Sequence, residues 1–168
     1  MRPLPSLQTG CQRIFRRVFF STESMTSPQA LEEFLHEYHQ GMDEFMRGSC
    51  EGVKPLFSKA DEVTLGNPFG PVAKGWDQVV DAMERAARNY RDGEAVGFDN
   101  IATIVTAELA YLVEVERLRA KVGGRAETSD LALRVTTILR PEQGSWKIVH
   151  RHADPITAAR PPESVLPS

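Results

Sequence analysis

The run SWKIVHRHADP, residues 145–155, brings two imidazoles, a guanidinium and a carboxylate together at His150, Arg151, His152 and Asp154. On an unbroken strand, side chains alternate between faces, which puts Trp146, Ile148, His150 and His152 on one side and Lys147, Val149, Arg151 and Ala153 on the other. Two imidazoles on one face could begin a zinc-type site, with Glu114, Glu116 or Asp154 completing it. A His-x-His pair without a third ligand at a fixed spacing is a weak metal signal, and no metal is expected. A general base is the second chemistry: an imidazole or a carboxylate in apolar surroundings titrates near neutral pH, as proton abstraction beside a carbonyl requires. His152, Glu114, Glu116 and Asp61 are the candidates, with His152 taken as the base. The plain alternative is a pair of sheet histidines bonded to neighbours or placed at a subunit contact.

Other side chains could support such a base. Arg134 could hold a carboxylate or a developing oxyanion, or could simply bridge an acid on the adjacent strand. Tyr38, Trp76 and Phe69 could line a cavity with the Tyr38 hydroxyl aimed at a carbonyl, although aromatics at helical spacing are more often core. The loop GNPFGPVAKG, residues 66–75, has the glycines of a tight turn but no Gly-Lys-Ser or Gly-x-Gly-x-x-Gly run, so no phosphate cradle is read there. There is no nucleophile elbow and no paired Cys-His signature. The chemistry open to the chain is therefore cofactor-free.

These residues need elements to position them. Leu31, Phe34, Leu35, Tyr38, Met42, Phe45 and Met46 recur at intervals of three and four, which predicts an amphipathic helix over 27–47 with Ser27 as cap and Pro28 in its first turn. A short helix is predicted over 53–58, a short strand over 63–65 and a third helix over 76–90. After Gly93 the period changes to two, and strands are predicted over 96–106, 109–121, 125–140 and 145–153. Within 125–140, Leu131, Leu133, Val135, Thr137 and Leu139 share one face and Ala132, Arg134, Thr136, Ile138 and Arg140 the other. Three helices gathered on a curved antiparallel sheet make an α+β domain.

The chain of 168 residues suits a single domain, with 41% apolar and 26% charged residues. No apolar run approaches the roughly 20 residues that a membrane helix needs. Cys11 and Cys50 are too isolated for a disulfide framework or a zinc ribbon, and a reducing compartment fits them. Residues 1–24 carry Arg2, Arg13, Arg16 and Arg17 against Glu23 alone, leaving the remainder with 16 basic and 22 acidic residues. An acidic domain repels phosphate backbones, so nucleic acid is not an expected partner. The basic start reads either as a mitochondrial transit segment, which would place the protein in the matrix, or as an extension upstream of a true start at Met25, which would leave it cytoplasmic. The domain is placed at 25–156 and an irregular proline-rich tail at 157–168.

The order of elements, the loop GNPFGPVAKGWDQV and the ending LRVTTILRPEQGSWKIVHRHAD together resemble the SnoaL-like (DUF4440-type, ketosteroid isomerase-like) branch of the NTF2-like superfamily. The ending is also similar to the association, or hub, domain of calmodulin-dependent protein kinase II. The resemblance covers about residues 29–154 and implies a conical α+β barrel with an apolar cavity, paired as a homodimer through its sheet. It implies a small apolar molecule with a polar head as ligand, and cofactor-free isomerase, cyclase or hydrolase chemistry; the hub likeness implies instead a non-catalytic association module. Tyr38 matches the helix-one tyrosine of steroid isomerases, but their two aspartates have no counterpart here. Arg134 matches a pocket-facing basic residue of the hub, whereas the residue after His152 is Ala153, not a basic one. The candidate ligand-binding residues are thus Tyr38, Trp76, Arg134 and His150. The hub likeness turns Val149 and Arg151 inward, and an enzyme would turn His150 and His152 inward.

Overall fold

A computed structural model describes residues 27–166 of the chain; the basic start at 1–24 lies outside them. Helix α1, Pro28–Met46, is capped by Ser27, whose hydroxyl accepts from the Ala30 amide at 3.1 Å. Its apolar stripe is buried as the spacing predicts: Leu31, Phe34, Tyr38, Met42 and Met46 all lie in the core. The predicted second helix is only a 3-10 turn, Lys54–Leu56, because Pro55 removes an amide donor and leaves too little chain to propagate a helix. Helix α2, Trp76–Ala87, ends three residues before Tyr90, which instead opens a strand.

Strands β1 (Thr64–Gly66), β2 (Ala73–Lys74), β3 (Tyr90–Val105), β4 (Ala110–Val122), β5 (Thr128–Glu142) and β6 (Ser145–Asp154) form one sheet in the order β2-β1-β6-β5-β4-β3. The order is open, so the sheet curves around the helices without closing into the expected barrel. It is also mixed rather than wholly antiparallel, since β1 runs parallel to β6 with Leu65 beside Arg151. The two-residue β2 has no periodicity to betray it in the sequence and falls within the loop GNPFGPVAKG. Among the described residues, no helix is long and apolar enough to cross a membrane.

Two irregularities shape the inner face. Strand β3 shifts register against β4 three times, and at the first two shifts α1 closes down on it: Asp43 accepts the Ala95 amide at 2.8 Å. Gly93 makes that approach fit, because a methyl there would meet Met46 O and Ala120 Cβ at 2.7 Å each. The second irregularity lies in β6, where pairing steps from Ile138–His150 to Leu139–Ile148 and leaves Val149 as an extra residue. A bulge of this kind reverses the parity of the strand beyond it. Trp146 and Ile148 are buried, and so are Arg151 and Ala153. The expectation that His150 and His152 share a face with Trp146 and Ile148 is therefore corrected by one inserted residue. In β5 the alternation holds throughout, with Leu133, Val135, Thr137 and Leu139 inside.

Gly93→Ala should lower stability by about 1–3 kcal/mol through overpacking, read as a fall in the urea midpoint. Gly97→Ala, whose added methyl meets nothing within 4 Å, should leave the midpoint near that of the parent. Equal effects at the two positions would contradict the close approach of α1 to β3.

Candidate functional site

On β4 the inward row runs Leu112, Glu114, Glu116, Leu118, so strand alternation alone carries two carboxylates into the core. Glu116 is completely buried, and an ion there requires partners. Tyr38, from the middle of the α1 stripe, donates its hydroxyl to Glu116 Oε1 at 2.7 Å. Arg151, turned inward by the β6 bulge, donates Nη2 to Glu116 Oε2 at 2.7 Å and Nε to the Tyr38 oxygen at 2.8 Å. The three side chains close a ring of hydrogen bonds joining α1, β4 and β6.

The surroundings fix the protonation of Tyr38 and Arg151. Burial, the largest influence, pushes the Tyr38 phenol well above its ordinary value, so it remains a donor. Burial works against the Arg151 charge, but Glu116 and Tyr38 outweigh it and hold the guanidinium above its usual range. Nε and Nη2 of Arg151 are engaged, while Nη1 has no protein partner among the described residues. It is not one of the sealed, unpaired atoms of the core, which are His39 Nε2 and Trp146 Nε1.

Arg151 and Tyr38 line a cavity of about 40 Å³. Its walls are largely apolar, built from Met42, Phe45, Phe57, Met83 and Leu133. Asn67, Pro68 and Phe69 of the loop after β1 border it, and Phe69 stands edge-on to Tyr90 at 5.7 Å. Burial raises the Tyr90 phenol to about 12, so this wall too is uncharged. The space is far smaller than a steroid pocket and admits a molecule of only a few heavy atoms.

The residues singled out from sequence divide sharply. Tyr38 lies in the cavity, as expected. Trp76 is half-buried at the start of α2, away from the cavity lining, with the Lys59 ammonium 5.5 Å from its ring centre. Arg134 is exposed on the opposite face of the sheet and bridges Asp154 at 2.8 Å, the structural alternative that sequence reasoning had left open. His150 bonds Thr64 Oγ1 at 2.8 Å on that same outer side, and burial lowers its pKa. His152 is exposed and packs over Gly66. Asp61 is exposed as well. Among the described residues no group of three or more metal-ligating side chains is assembled.

Arg151 was the residue that alternation misplaced. The visible clue was the pair Glu114 and Glu116 on an otherwise apolar strand face, which demands a buried cation. Glu114 itself is buried beside this ring; burial, and then the charge of Glu116, raise its pKa. His39 stacks on Phe98 at 3.6 Å between ring centres, and burial lowers its pKa.

Arg151→Met should cost about 3–5 kcal/mol, because Glu116 is left buried and unpaired, while the double change with Glu116→Leu should recover most of that loss. Additive losses in a double-mutant cycle would contradict the pairing. Glu114 has its folded pKa raised, so the folded state holds its proton longer than the unfolded chain does. Its penalty is absent below the unfolded pKa and grows as pH rises through the folded one. Glu114→Gln should therefore gain stability over the parent at pH 7, with the difference fading toward pH 4 in urea titrations; a gain that grows toward acid would have the wrong sign.

Comparison with known proteins gives a consistent result for the fold. The model of the SnoaL-like domain matches residues 31–157. No curated protein matches the chain. Among solved structures, an NTF2-like superfamily protein from Salmonella enterica superposes with a TM-score of 0.62 at 18% identity, over 76% of this chain and 89% of that one. A ketosteroid isomerase-like protein from Erwinia carotovora atroseptica gives 0.60 at 15% identity, over 83% of this chain and 100% of that one. A candidate calcium/calmodulin-dependent protein kinase type II association domain from Thiobacillus denitrificans gives 0.55 at 18%, over 78% and 96%. At these identities the structures speak for the fold alone. The chain belongs to the SnoaL-like domain family and has the NTF2-like α+β fold.

Proposed function

We propose that this protein binds a compact, largely apolar small molecule whose polar head accepts hydrogen bonds from Arg151. The observation that carries the reading is a buried guanidinium, locked in orientation by Glu116 and Tyr38 and with Nη1 unpaired among the described residues, in the lining of a largely apolar cavity. A donor held in place by its neighbours binds an acceptor oxygen with little reorganisation. Asn67 supplies a further polar group on the loop that borders the cavity.

Acid–base capacity resides in the Tyr38–Glu116 bond rather than in His152. A proton taken from a bound molecule by the Tyr38 oxygen would be matched by passage of the phenolic proton to Glu116 Oε1, with Arg151 polarising the acceptor head. That relay is suited to cofactor-free isomerisation or elimination beside a carbonyl. Such chemistry would use no carboxylate in direct contact with the ligand, since Glu116 does not line the cavity.

A second reading has its own support. Arg151 faces inward and both histidines face outward, the arrangement that the hub likeness implies. The outer sheet face then offers half-buried Val113, Val115, Thr136 and Ile138 to a second copy of the chain, as a homodimeric association module would.

Native mass spectrometry of the untagged full chain discriminates between the two. The ligand reading expects an organic adduct on the wild type that is absent from Arg151→Met. A clean dimer without adduct in both proteins would favour the association module; an adduct that persists without Arg151 would place the ligand elsewhere.

A further inference from the structure

Whether the ligand's polar head is charged follows from what already surrounds Arg151. The guanidinium faces Glu116 at 2.7 Å, so the pair is neutral before anything binds. Tyr38, Asn67 and Tyr90, the other polar side chains of the lining, carry no charge near neutral pH, and the rest of the wall is apolar. Among the described residues no second cation borders the cavity, Arg151 being the one basic residue of its lining. A carboxylate docked on Nη1 would place two anions around one largely buried cation. Such an uncompensated buried charge costs far more than a hydrogen bond returns. Glu114, also buried on the same β4 face, adds negative potential at Arg151 and sharpens the penalty. A neutral carbonyl, by contrast, takes the N–H bonds without disturbing the charge balance.

Resting on the ligand reading above, we propose that the polar head is uncharged: the cavity selects a small ketone, aldehyde, ester or amide and rejects the matching carboxylate. Glu116 is then a specificity-determining residue that never touches the ligand. It acts by cancelling the charge of Arg151.

The test uses a size-matched pair of probes, acetone and acetate, titrated into the full-length protein at pH 7 with binding followed by amide and arginine side-chain NMR. The ketone should bind at least about tenfold more tightly. Glu116→Gln frees the charge of Arg151 and should reverse the order in favour of the carboxylate. The acid probe should also gain affinity for the wild type as pH falls toward its own pKa, because the neutral acid is the accepted form; this arm stands even if Glu116→Gln fails to fold. A carboxylate that binds the wild type as well as the ketone does would overturn the proposal while leaving the ligand reading intact. Binding of neither probe, with no shift at Arg151, would remove the ligand reading and this proposal with it.

Discussion

A carboxylate with no exposure to water sets the terms for the interior of this protein. Glu116 sits on a strand whose neighbours on the same face are apolar or acidic, and an isolated charge there would prevent folding. Arg151 and Tyr38 relieve it, and the geometry they require propagates outward. The bulge at Val149 is needed to turn Arg151 inward while keeping Trp146 and Ile148 in the core. Helix α1 must lie close enough for the Tyr38 hydroxyl to reach Glu116, and it is held there by Asp43 on the Ala95 amide and by the space left at Gly93. The ion pair thus ties a helix and two strands that are distant in sequence into one arrangement.

The same constraint produces the functional asymmetry of the sheet. Inside, the Arg151 guanidinium is already engaged on two of its nitrogens and has one left to offer. Outside, Arg134 with Asp154, and His150 with Thr64, satisfy each other at the surface. The polar residues that looked most reactive in the sequence are the ones spent on surface structure. Those that were harder to see are the buried ones, where a hydrogen bond is strong and its loss expensive.

Much of this was legible from the chain. The α1 stripe, the period-two region after Gly93 and the inward face of β5 all follow from apolar spacing, and the likeness carried by the loop and the ending identified the α+β fold. Tyr38 was found because it lies at the centre of a helical stripe. Alternation did not put Arg151 on the side of Trp146 and Ile148, because it counts residues and a bulge adds one; nothing in the run Ile148-Val149-His150 marks the bulge, and the inward turn of Arg151 came from the hub likeness instead. The parallel pairing of β1 with β6 and the short β2 were also beyond reach, since two or three residues hold no period. The 3-10 turn at Lys54–Leu56 shows the opposite failure: the helix predicted over 53–58 is one that Pro55 and the short length did not allow.

The most direct measurement is a crystal structure of the full chain soaked with acetone. The ketone should lie within the cavity, its methyls against Met83 and Leu133 and its oxygen about 2.9 Å from Arg151 Nη1, with the Tyr38–Glu116–Arg151 ring unchanged. A ketone bound on the outer sheet face beside His152, or an Arg151 that abandons Glu116 to receive it, would contradict that account.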